Sequence, residues 1–154
     1  MKILIIGATG TIGKAVSRQL AAKHDIIAAG YSDGDHKVDL GNPESIANLF
    51  KAVGKVDAVI STAGAAGFAP FNELKDADYD LALSNKLMGQ VNLVRFGQDY
   101  LNDGGSFTLT SGILSREPMQ GSVVISMANG ALESFSKAAA LELPRGLRVN
   151  TVSP

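Results

Sequence analysis

The chain has 154 residues, 45% hydrophobic and 19% charged, with a formal net charge of −1, the composition of one ordinary globular domain. Its densest basic stretch, Arg145 to Arg148, holds only two arginines, so nucleic-acid and anionic-membrane partners are not expected. The lack of cysteine excludes disulfides and thiolate metal sites, and His24 and His36, in polar surroundings, read as surface imidazoles rather than metal ligands.

The first apolar run, KILII (2–6), reads as a strand. It stops at Gly7, too early for a signal peptide. A helix is expected from Thr11 to Lys23, then strands at DIIAA (25–29) and HKVDL (36–40). NPES (42–45) has the form of a helix start, and that helix runs to Val53. VDAVI (56–60) is a strand followed by the small-residue loop STAGAAGFAP. A long helix spans Asp76 to Leu101, a strand GSFTLTS (105–111), a second long helix Gln120 to Leu143, and a last strand LRVNTVS (147–153). No segment approaches the ~18 uninterrupted apolar residues of a membrane span. The expected molecule is one cytoplasmic domain over residues 1–154, ending at about its sixth strand.

Alternating apolar strands and helices predict an α/β fold: a doubly wound parallel sheet in three α/β/α layers, of Rossmann type. GATGTIG (7–13) stands at the first strand–helix turn. Gly7 allows a sharp turn, Gly10 lets backbone approach a pyrophosphate, and Gly13 lets helix and strand pack closely. Thr9, Thr11 and Ile12 stand between these glycines and share the expected cofactor contact, with free N–H groups at the helix start facing phosphate. The alternative is a tight glycine turn that binds nothing. The second strand ends in AAGYS without an acid at its tip, although Asp33 and Asp35 come soon after. Tyr31 can stack on adenine and Ser32 can bond a phosphate, so the reading favours NADP over NAD.

With that loop, VDL (38–40), STAG (61–64), SNKLMGQVNL (84–93), TLTSG (108–112) and PRGLRVNTVSP (144–154) in order, the chain resembles the short-chain dehydrogenase/reductase family along its whole length. The resemblance implies that Asp39, with Leu40 beside it, contacts adenine. It implies that Ala63 and Gly64 form the loop under the cofactor, with Thr62 in place of an asparagine. Asn85 then corresponds to the helix asparagine of a proton relay, and Ser111 to the serine that orients a substrate carbonyl. The family's catalytic Tyr-x-x-x-Lys falls on Ile125 and Asn129. Isoleucine has no titratable proton, and asparagine can bond a ribose hydroxyl but carries no charge.

From Pro118 to Leu132 there is no acid, base, histidine or tyrosine. The two long helices are apolar on more than one side. Leu83, Leu87, Val91 and Val94 form one stripe and Leu81, Met88 and Phe96 another; Val123, Val124, Met127, Leu132 and Phe135 lie on the second helix. One face covers the sheet and the other suggests a subunit contact; the resemblance implies a homodimer or homotetramer through these helices. It also implies that relatives continue past this point with a substrate-covering loop, a helix and a strand. The expected activity is NAD(P)-dependent hydride transfer to or from a small carbonyl or alcohol, on a degenerate site. The alternatives are a non-catalytic dinucleotide-binding sensor or scaffold and, more weakly, a structural fragment that binds nothing.

Overall fold

A computed structural model describes residues 1–154. Six parallel strands, β1 (Lys2–Ile6), β2 (Asp25–Gly30), β3 (His36–Lys37), β4 (Val56–Ser61), β5 (Leu101–Thr110) and β6 (Arg148–Val152), lie in the order β3-β2-β1-β4-β5-β6. The helices are α1 (Thr11–Ala21), α2 (Pro43–Val53), α3 (Asp76–Leu81), α4 (Met88–Gly97) and α5 (Val123–Ala139). The doubly wound fold expected from the alternation is the one observed.

Strand β1 shows why the sheet needs cover on both sides. Successive side chains point to opposite faces. Leu4 and Ile6 enter the larger core with Ile46, Phe50, Leu93 and Leu132, whereas Ile3 and Ile5 enter a smaller one capped by Val16 and Leu20 of α1. An unbroken apolar strand is what two buried faces require. The start of α2 is equally local in origin. Asn42 Oδ1 accepts from the Glu44 and Ser45 N–H groups at 3.0 and 3.3 Å, and Pro43 occupies the first helical position, satisfying donors that have no intrahelical partner.

The expected helix over 76–101 is not continuous. Between α3 and α4, residues Ala82–Leu87 form a π-helical turn, in which the Met88 N–H donates to the Leu83 carbonyl. The wider turn changes the rotation of α3 relative to α4, so Leu83 is exposed while Val91 and Val94 are buried. Leu101 is fully buried as the first residue of β5, which pairs Val56 with Leu101 and then Ala58 with Ser106, the extra residues bulging out. The second long helix is shorter than expected at both ends. Residues 38–40 leave the sheet because the Asp39 side chain folds back to accept from the Gly41 N–H at 2.8 Å.

Candidate functional site

The sheet's winding reverses between β1 and β4, and open α/β sheets bind ligands at the carboxyl ends of such neighbours. A cleft of about 410 Å³ lies there, lined by Gly7, Tyr31, Leu40, Ala63, Gly64 and Asn85 among others. Gly7 has φ of +80°, and a Cβ on Gly13 would stand 1.9 Å from the Gly7 carbonyl oxygen. Both glycines are therefore demanded by the fold alone.

Gly10 differs. Its φ of −76° and ψ of 177° suit any residue. A Cβ there would meet only the Gly7 oxygen, at 3.3 Å. What a side chain at Gly10 would obstruct is the space in front of α1. No side chain caps that helix, no acid stands in its first turn, and the N–H groups of Thr11, Ile12 and Gly13 donate to no carbonyl. Open donors and a bare approach at a helix start fit a pyrophosphate, so the residues present fit a dinucleotide.

At the other end of the cleft Tyr31 is 79% exposed, a free ring face beside Val38 and Leu40. Ser32 Oγ donates to Asp33 Oδ2 at 3.2 Å, and Asp35 turns back to accept from the Ala28 N–H at 2.9 Å. Asp39 receives the Gly41 N–H on Oδ1 and leaves Oδ2 without a partner. Leu40 is buried beneath Gly89 of α4, where a Cβ would lie 2.8 Å from it. Thr62 Oγ1 is spent on the carbonyls of Ile6 and Gly7, at 3.0 and 3.1 Å.

The residues expected to carry chemistry, Asn85, Ser111 and Asn129, stand on the π turn, just past β5 and on α5. Asn85 lines the cleft and accepts from the Ala65 N–H at 2.8 Å; it makes no bond toward Ser111. The π turn aims the next residue there instead. Lys86 Nζ donates to the carbonyls of Thr110 and Ser111, at 3.4 Å each. Asn129 is 1% exposed, packed toward Gly112, with Oδ1 unpartnered, and does not line the cleft. Gly112 stands against its amide and holds it in the interior. Ser111, 5% exposed, donates its hydroxyl to Glu133 Oε1 at 2.7 Å, and Ser115 donates to the same oxygen at 2.7 Å.

Glu133 escaped the sequence reading, although it stands four residues after Asn129 and so shares its helix face. The hydrogen bond from Ser111, then that from Ser115, holds its carboxyl below the ordinary 4.5, with Arg116 and Lys137 adding to the effect. Serine has one proton to give, and Glu133 takes it. Lys86 was also missed; its signal is a cation four residues before Gln90, two polar groups on one face of an apolar helix.

A family model described as Enoyl-(Acyl carrier protein) reductase matches residues 7–154. The chain belongs to the short-chain dehydrogenase/reductase family. L-xylulose reductase of Mesocricetus auratus is 28% identical over 156 residues, covering 99% of this chain and 64% of that protein. Hydroxynaphthalene reductase-like protein Arp2 of Metarhizium brunneum is 22% identical over 176 residues, covering 98% and 66%. The chain thus spans just under two thirds of the length of these curated relatives.

Among solved structures, the protein lin1944 from Listeria innocua superposes with a TM-score of 0.98 at 51% identity, covering all of this chain and 77% of that one. A small-chain dehydrogenase in complex with NADPH superposes with a TM-score of 0.92 at 31% identity, covering 100% and 69%. Members of this short-chain dehydrogenase/reductase family are oxidoreductases. No helix is long and apolar enough to cross a membrane.

Proposed function

We propose that the protein binds NADP(H) in the cleft between β1 and β4 and is an oxidoreductase acting on a small carbonyl or alcohol. The observation that carries this reading is the cradle at α1: Gly10, which the fold itself does not require, stands before the open N–H groups of Thr11, Ile12 and Gly13. When bound, the dinucleotide supplies or accepts the hydride. Gly7, Gly10 and the first turn of α1 hold its pyrophosphate; Tyr31 and Leu40 flank adenine, with the free oxygen of Asp39 as acceptor. Gly64 and Asn85 form the wall toward β5. NADP is favoured over NAD because no acid ends β2 itself, and Ser32 becomes a donor to a 2′-phosphate once its hydroxyl turns from the Asp33 carboxylate 3.2 Å away. The neighbour in complex with NADPH supports that preference.

The second reading, a dinucleotide-binding protein without turnover, has its own support. Ser111 has committed its proton to Glu133. Ile125 and Asn129, in the places read for tyrosine and lysine, hold no transferable proton. We also read the exposed apolar residues of α3, α4 and α5 as a subunit contact of a homodimer or homotetramer.

Calorimetric titration with NADPH tests the main reading. The unmodified protein is expected to bind. Gly10→Val, whose backbone angles suit valine, is expected to lose binding while its circular dichroism and melting stay unchanged. Equal binding by the two proteins would remove the cradle from the site. Turnover with a panel of ketones and aldehydes then separates the two readings.

A further inference from the structure

Lys86 is 7% exposed, and no carboxylate lies within ion-pair distance of it, the one salt bridge of the protein being Arg145 with Asp103. Burying an unpaired ammonium is costly, and that burial pushes the Lys86 pKa down from its ordinary 10.5. A mere strut between helix and strand would not explain the charge. Gln90 already ties the same strand end, donating to the Thr110 carbonyl and accepting from the Thr110 N–H, each at 2.9 Å. Lys86 adds only two long bonds, 3.4 Å each, to the carbonyls of Thr110 and Ser111.

Its position is more telling. The Lys86 stem runs directly behind Gly64, where a Cβ would meet its Cα and Cγ at 3.4 Å. Gly64 is a wall of the cleft, and Ser111 stands just past the carboxyl end of β5. The ammonium therefore lies between the cleft and Ser111, at the opposite end from Tyr31 and away from the phosphate cradle at α1. A dinucleotide with its adenine by Tyr31 and its pyrophosphate at Gly10 directs its nicotinamide toward this end.

We propose that Lys86 sets the redox preference of the site: its buried ammonium disfavours the cationic ring of NADP+ and leaves the neutral ring of NADPH unpenalised. This rests on the reading of the cleft as a dinucleotide site. The two forms share adenine, riboses and phosphates and differ by one charge on the ring, so a buried cation beyond that ring discriminates between them where no surface charge would. Asn85 and Gln90, the polar neighbours of Lys86 on its own segment, are uncharged, and the Glu133 carboxylate on the far side of Ser111 is turned to the Ser111 and Ser115 hydroxyls, outside ion-pair distance of Lys86.

The test is the pair of dissociation constants for NADPH and NADP+, by calorimetry, in the unmodified protein and in Lys86→Met and Lys86→Arg. A preference for NADPH of about tenfold is expected in the unmodified protein. Lys86→Arg keeps it, and Lys86→Met brings the ratio toward one, chiefly by tightening NADP+. Equal affinity for the two forms in the unmodified protein overturns the proposal without recourse to any variant. So does a Lys86→Met protein that binds both forms with the ratio unchanged, and in either case the cleft stands as a dinucleotide site. Binding of neither form by the unmodified protein overturns the reading of the cleft, and the proposal with it.

Discussion

The Ser111 hydroxyl donates to Glu133 Oε1 across 2.7 Å, joining the end of β5 to the middle of α5 at the place where a substrate carbonyl was expected to sit. A serine whose O–H already donates to a carboxylate offers a further ligand a lone pair, not a donor. It would accept from an alcohol more readily than it would orient a carbonyl. The carboxyl is also held below 4.5 by the Ser111 and Ser115 hydrogen bonds. A folded pKa that is depressed contributes stability above the unfolded pKa, and that contribution is lost as pH falls through the folded value. Glu133→Gln keeps an acceptor for both serines but does not titrate. Thermal melts across the acid range should therefore show the unmodified protein losing stability below about pH 4.5 more steeply than the variant. Parallel curves would mean the carboxylate contributes nothing that depends on its charge.

Cofactor choice turns on Asp33. Its carboxylate lies 3.2 Å from Ser32 Oγ, at the tip of β2 where a 2′-phosphate is expected, whereas Asp35 is occupied by the Ala28 N–H. Removing the negative charge while keeping the shape, Asp33→Asn, should tighten NADP by several-fold and leave NAD nearly unchanged, since only the former brings a phosphate near it. Titrating the two cofactors against both proteins decides this. A tenfold preference of the unmodified protein for NAD, about 1.4 kcal/mol, would instead make Asp33 the ribose-binding acid.

The range of each interaction decides how much of the molecule is legible in its sequence. The cap at Asn42 and the turn at Gly7 involve residues within a few positions of one another, so their spacing is visible in the sequence. The two buried faces of β1 are visible too, as an unbroken apolar run. Glu133 and Lys86 gain their roles only from partners 18 to 25 residues away, and no local pattern encodes that pairing. The π turn over Ala82–Leu87 is hidden for a related reason. Its composition suits an ordinary helix. Across it Asn85 faces the cleft and Lys86 reaches toward β5.

Leu81, Leu83, Met88, Val123 and Met127 are all exposed on α3, the π turn, α4 and α5. We read these exposed apolar side chains on neighbouring elements as a contact with another protein surface, and a two-fold axis would let one patch cover itself. Light scattering at high micromolar concentration should give at least twice the chain mass of 16.0 kDa. Met127→Glu should shift the population toward the single chain. A monomer mass for the unmodified protein would leave these residues without a partner and refute the reading.

The stretch without a proton donor, Pro118 to Leu132, carries the last prediction. α5 presents Ile125 and Asn129 where the family's acid and its supporting lysine are read, and Asn129 is buried with an unpartnered oxygen beside Gly112. A positioned general acid contributes typically about 10²–10⁴-fold, so reduction of ordinary ketones by the unmodified protein should be slow. Restoring the pair, Ile125→Tyr with Asn129→Lys, should raise NADPH oxidation with reactive ketones by about 10²-fold. The gain should depend on both substitutions, because tyrosine alone keeps its ordinary pKa near 10 without a neighbouring cation. Tyrosine alone serving as well as the pair would point to Lys86 or another cation as its partner. Robust turnover by the unmodified protein that survives Ser111→Ala would show that the chemistry lies on other residues and that the register read for α5 is wrong.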